Sequence, residues 1–183
     1  MAATGTHETE IAVDQEVPLV RITREFDAPP EKVFRAHTDP ELIARWLGPR
    51  DHELRIDHFD CRTGGSYRYI HLHEGSEYGF RGSFHEIRPA SLIVQTFTYE
   101  GEPDGVALER IVFDDLEDGR TRLVSTSLVD SFQARDAFVA SGMEDGVRQS
   151  YERLDELLAA LQEATTDDSP PDPGTDPRER STP

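Results

Sequence analysis

The chain has 183 residues with 37 acidic against 19 basic side chains, a formal net charge of −18. That balance disfavours nucleic acid and anionic membrane surfaces as partners. No run approaches the ~20 apolar residues needed to cross a bilayer, so membrane insertion is excluded as an expectation. No basic stretch followed by an apolar run marks a secretory leader, and the single cysteine, Cys61, has no internal partner. A cytoplasmic, one-domain protein is expected, as monomer or homodimer. The acid excess also fits salt adaptation, and the near absence of lysine (Lys32 alone) fits a GC-rich genome.

Taken in chain order, residues 1–18 contain no Lys or Arg and no periodicity, and are expected to form a tail. Val20, Ile22, Arg24 and Phe26 alternate as a first strand. Pro29-Pro30 stops it and opens a helix through Val33, Phe34 and His37. Asp39 is placed as the N-cap of a second short helix, whose apolar face is Leu42, Ile43, Trp46 and Leu47 and whose end is Gly48-Pro49. Trp46 there anchors the helix to the sheet or lids a cavity.

Six further strands are predicted at about 52–59, 66–73, 79–88, 91–99, 107–115 and 121–129. Gly64-Gly65, Glu74-Gly75, Pro89-Ala90, Gly101 to Gly105 and Glu117-Asp118-Gly119 separate them. Connections this short imply antiparallel hairpins. A long helix follows from about Glu144 to Gln162, with Met143, Val147, Tyr151, Leu154, Leu158 and Leu161 on one stripe. Residues 164–183 are rich in Pro, Asp, Ser and Thr and are expected to form a second tail. The domain is therefore 19–163. Its fold class is α+β: a seven-stranded curved antiparallel sheet gripping the C-terminal helix, with two short helices after the first strand. Such a closure leaves a gap at one end, where a cavity forms.

The strand Ser66–His73 carries the clearest chemistry. Tyr67, Tyr69, His71 and His73 share one face, and Ser66, Arg68, Ile70 and Leu72 the other. Four polar tips on one inward face would each cost ~1–3 kcal/mol if left unpaired, so the face suits a wall that meets water or a ligand. With Trp46, Phe84, Val147 and Tyr151, these residues are the expected lining of a site for a small apolar or aromatic molecule. A metal site would need His71 and His73 joined by His52, His58, His85 or Glu86. No metal and no cofactor is assigned. Cys61, beside Asp60, is expected to be inert.

Pro29-Pro30-Glu31-Lys32-Val33-Phe34, Asp39-Pro40, Trp46-Leu47-Gly48-Pro49, Gly64-Gly65, Gly82, Ile87 with Pro89, Gly119 with Thr121, and Gly142-Met143-Glu144-Asp145-Gly146 occur in that order. Together they resemble the bacterial relatives of the heat-shock-protein-90 ATPase activator C-terminal domain, in the START-like, birch-pollen-allergen-like (SRPBCC) superfamily. The resemblance covers about residues 19–163 and implies a helix-grip fold. The chain departs from it with Leu47 where a second tryptophan is frequent, with Val147 where an aromatic is frequent, and with the polar His71 where an apolar residue is common.

The resemblance implies binding of a small hydrophobic or aromatic ligand between sheet and helix. It also carries two alternatives. One is a cyclase- or dehydratase-type enzyme using His71, Tyr69 and Arg110. The alternation sets Arg110 with Leu108 and Val112, which makes it either an inward carboxylate binder or, as is more usual, an exposed side chain on an edge. The other alternative is a co-chaperone-like interaction domain. The stripe favours binding over catalysis.

Overall fold

The computed structural model describes residues 7–167. One antiparallel sheet holds eight strands: β1 (Glu10–Val13), β2 (Leu19–Phe26), β3 (Glu53–Phe59), β4 (Ser66–His73), β5 (Ser76–Arg88), β6 (Leu92–Tyr99), β7 (Ala107–Asp115) and β8 (Thr121–Leu128). Their order across the sheet is β1-β2-β8-β7-β6-β5-β4-β3. β3 to β8 follow as a meander, while β2 pairs with β8 from Leu19 opposite Leu128 to Phe26 opposite Thr121. The chain must therefore cross the sheet between β2 and β3. α1 (Pro30–Thr38) and α2 (Pro40–Trp46) make that crossing.

Local chemistry starts and stops these helices as expected. Each has proline in its first turn, where the missing N–H costs nothing. The Asp39 carboxylate accepts from the Glu41 N–H at 3.0 Å. The Trp46 indole donates to the Ala36 carbonyl at 2.8 Å, which fixes α2 on α1 with its ring buried.

α3 (Phe132–Ala140) and α4 (Met143–Asp167) follow β8. α4 lies on the concave face and buries Tyr151, Leu154, Leu157 and Leu158 against Val20, Phe26 and Leu123 from the sheet and Val33 from α1. The edge of one ring meets the face of the other between Phe26 and Tyr151 at 5.5 Å. One ion pair crosses the same interface. Arg24, inward on β2 and 3% exposed, binds Asp155 of α4 and donates to Thr9 Oγ1 at 2.6 Å.

Two elements depart from the expectation. The sheet has eight strands rather than seven, because β1 forms inside the segment expected to be a tail. It is too short to carry periodicity of its own and is held by long-range partners: the β2 ladder, Arg24 on Thr9, and Arg148 on the Thr9 carbonyl at 2.6 Å. The helices number four rather than three, because Ser131 caps α3 by accepting from the Ala134 N–H at 3.1 Å. Its apolar residues fall on no single stripe. α4 runs to Asp167, and the Pro-rich run from 168 on lies outside the described residues.

The Arg24–Asp155 pair gives a test of how α4 is held. Asp155→Ala leaves a buried guanidinium without its counter-charge and is expected to cost on the order of 3 kcal/mol. The double change Arg24→Met with Asp155→Leu replaces the pair by apolar contact and is expected to cost less than Asp155→Ala alone. Urea unfolding measures both, and a double variant no more stable than the single one would contradict this.

Candidate functional site

Inward-facing residues change character along β7 and β8, and that change opens a cavity. At one end Phe113 sits opposite Leu123 and meets Phe34 and His37 of α1 at 5.5 and 5.2 Å. At the other end the inward positions are Ala107, Glu109, Ser125 and Ser127, three small side chains and one acid, all on the lining of an open space. What remains is a cavity of about 700 Å³. Tyr67, Tyr69, Phe80, Phe84 and Phe97 wall it from the sheet, and Phe138, Met143, Val147 and Tyr151 cover it from α3 and α4.

Seven of the eight expected lining residues meet there: Trp46, Tyr67, Tyr69, His71, Phe84, Val147 and Tyr151. His73 does not. It stands beyond the wall, its side chain 28% exposed, stacked on His52 at 4.4 Å. Asp51, His52 and His73 bring their ligating atoms within 4.8 Å of one another. His71 is not in that group; His58 is turned to Ser66 and His85 is exposed, so the expected metal set is not assembled.

Arg110 also lies elsewhere. It is exposed on the outer face beside Leu108, which is 48% exposed, and does not line the cavity. The phase of β7 is set by Ala107, Ile111 and Phe113 packing inward, and Glu109 shares their parity. Arg110 is thus the exposed side chain of the two readings, and an acid occupies the inward position beside it.

Glu109 is the residue that reading the sequence missed. It is enclosed by protein, and the surface it keeps is cavity wall. Gln95, Glu109 and Ser127 are direct cross-strand neighbours on β6, β7 and β8. The Gln95 amide donates to one carboxyl oxygen at 2.8 Å and the Ser127 hydroxyl to the other at 3.2 Å. Burial pushes the Glu109 carboxyl above its ordinary range, and these two neutral donors only partly oppose it.

Tyr67 completes the polar floor. Its hydroxyl donates to the Thr96 carbonyl at 2.8 Å and accepts from Gln95 at 3.4 Å. The ring can lie there because residue 82 is glycine: a Cβ would stand 1.9 Å from the Thr96 oxygen and 2.6 Å from Tyr67 Oη. Burial raises the phenols of Tyr67, Tyr69 and Tyr151, and the nearby Glu109 raises all three further. All three stay protonated at neutral pH.

His71 is held by the end of α2. Gly48 has φ +102°, and a Cβ there would lie 2.1 Å from His71 Cε1, so the turn has room for glycine alone. The same turn is tied to α4. The Gly48 N–H donates to Ser150 Oγ at 2.9 Å, and the Arg153 guanidinium donates to the carbonyls of Arg45, Gly48 and Pro49. Burial, with lesser pressure from His52 and Arg153, lowers the His71 pKa to about 4. Its Nδ1 is buried without a partner. The ring is thus a neutral wall at pH 7, as is His37, also lowered to about 4 by burial. Burial and Asp60 raise the Cys61 thiol to about 11, which keeps it protonated.

A curved antiparallel sheet, a helix across its concave face and a cavity between them define a helix-grip protein of the SRPBCC class. Residues 27–159 match the family described as Activator of Hsp90 ATPase homolog 1-like protein, and the chain belongs to that family. Solved structures agree in fold. A Rhodobacter sphaeroides protein is 28% identical over 84% of this chain and 100% of its own, with a TM-score of 0.77. A Chromobacterium violaceum protein is 29% identical over 76% of this chain and 96% of its own, with a TM-score of 0.67. An Arthrobacter aurescens protein, 24% identical over 82% and 91%, superposes with a TM-score of 0.76 and shows the fold alone. No curated protein matches the sequence.

The buried groups predict opposite pH effects. His37 and His71 have folded pKa values of about 4, below the ordinary 6.5, so the unfolded chain binds their protons first and stability falls as pH drops from 6.5 towards 4. Glu109 has a folded pKa raised above 4.5, so it costs stability increasingly as pH rises above that value. Glu109→Gln removes that cost. Its melting temperature is expected to exceed that of the wild type at pH 7 but not at pH 4. A variant less stable at pH 7 would contradict the assignment.

Proposed function

We propose that the protein binds a small, mainly apolar or aromatic molecule in the cavity between the sheet and α4. The observation that carries this is the row Gln95, Glu109, Ser127, polar groups set on the floor of an otherwise aromatic and aliphatic chamber. A structural core has no use for an acid there, whereas a ligand site needs a few placed polar groups among apolar walls. A volume of about 700 Å³ is in the range of small-molecule sites. Membership of a family built on this fold supports the same reading.

Acid–base catalysis has less support. Arg110 is outside the cavity, and no hydrogen bond joins Tyr69 to His71 among the described residues. His71 Nδ1 is buried and has no hydrogen-bond partner.

Thermal shift and native mass spectrometry against a panel of aromatic alcohols, ketones, amines and acids test the proposal. At least one class is expected to bind at one molecule per chain. Val147→Trp, which fills the chamber from α4, is expected to abolish that binding without lowering the melting temperature. Binding that survives Val147→Trp would place the ligand elsewhere.

A further inference from the structure

Glu109 is a buried acid with no counter-charge. Its two partners, Gln95 and Ser127, are neutral donors. Arg24, buried in the core, is already engaged by Asp155, and Arg153 donates to the carbonyls of Arg45, Gly48 and Pro49. No Arg or Lys lines the cavity among the described residues. Of its three histidines, His37 and His71 are neutral at pH 7, and His52 stands beside Asp51, stacked on His73. The remaining charged side chains on the lining, Glu102 and Asp130, are exposed and acidic.

An anionic ligand would meet only like charge here and no guanidinium or ammonium to receive it. A cationic ligand would meet carboxylates on the exposed part of the lining and one at the floor. Aromatic faces complete the preference. Tyr67 and Tyr69 stack at 5.8 Å, and Phe80 and Phe97 at 5.4 Å, so π surfaces border the chamber that Glu109 enters. Such faces attract ammonium groups, more strongly when water is excluded. A buried carboxyl held off its ordinary range is also a mark of a functional site rather than of packing.

We propose that the ligand of this cavity is a hydrophobic amine, bound as an ammonium ion whose charge pairs with the Glu109 carboxylate. The proton balance is simple. An ionised Glu109 carboxyl pairs directly with an ammonium ion, and a protonated one gives its proton to an uncharged amine, or to solvent as an ammonium ion enters; in each case an ion pair forms and no bond other than to hydrogen changes. This inference rests on the binding function proposed above and adds the charge of the ligand.

Three molecules with one apolar skeleton test it: 2-(1-naphthyl)ethylamine, 2-(1-naphthyl)ethanol and 1-naphthylacetate, titrated calorimetrically into the full chain at pH 7.5. The amine is expected to bind roughly tenfold or more tightly than the alcohol, and the carboxylate most weakly. Glu109→Gln is expected to bring the amine down to the alcohol's level. That variant keeps nearly all of the protein's acidic surface, so an amine preference that survives it would be surface attraction and would overturn the proposal. Should it fail to fold, the wild-type rank order decides: alcohol or carboxylate binding as tightly as the amine overturns the proposal while leaving the cavity as a binding site. Failure of all three to bind, together with a silent panel, would remove both.

Discussion

One helix cannot cover this sheet. Eight strands about 4.8 Å apart span roughly 34 Å, whereas a helix with its side chains is about 10 Å across. Curvature brings the strands round α4, and α1 and α2 close one end with Phe34, His37 and Trp46. The other end is covered by α3 and the first turns of α4, with Glu102, Gly105 and Val106 of the β6–β7 loop on its lining. The cavity follows from that mismatch, because the strands facing the open end carry Ala107, Ser125 and Ser127 where the closed end carries Phe113 and Leu123.

The open end needs a fixed boundary, and α4 is fixed from three directions. The Gly48 turn binds its side through Ser150 and Arg153, Arg50 pairs with Glu156 at 2.6 Å, and Arg24 binds Asp155 from beneath. Ser150 alone among these side chains lines the chamber. The polar row inside works the other way. Glu109 is enclosed among apolar and aromatic side chains, its neutral donors do not offset its burial, and the fold carries that cost. Stability is therefore concentrated around the site and given up within it, which is the ordinary relation between a scaffold and the groups it presents.

Much of this was legible from residue patterns. The Tyr67, Tyr69, His71 face is one wall of the cavity, because strand periodicity is 2 and the rings could not all face water. The Asp39-Pro40 start and the Gly48-Pro49 stop are local chemistry and hold in three dimensions. β1 and α3 were not legible: the first depends on a ladder and an arginine from elsewhere, the second on a cap without an amphipathic stripe. The side that Arg110 takes was open because Leu108, Arg110, Val112 and Ala107, Glu109, Ile111 are equally plausible inward sets. Only the packing of Phe113 at the closed end decides the phase. Glu109 was hidden by the same ambiguity, since an acid on a strand reads as solvent-facing until the opposite parity is shown to be the exposed one.

Glu109, a carboxyl enclosed by protein that faces a chamber and lacks a counter-charge, is the group on which the binding site turns. Titration of its side-chain carboxyl by 13C NMR in the unliganded protein tests this most directly. A midpoint clearly above the ordinary 4.5 is expected, moving down when a hydrophobic amine is added. A midpoint at or below 4.5, unchanged by the amine, would show that the carboxyl is solvated or already paired, and would contradict the account of the site.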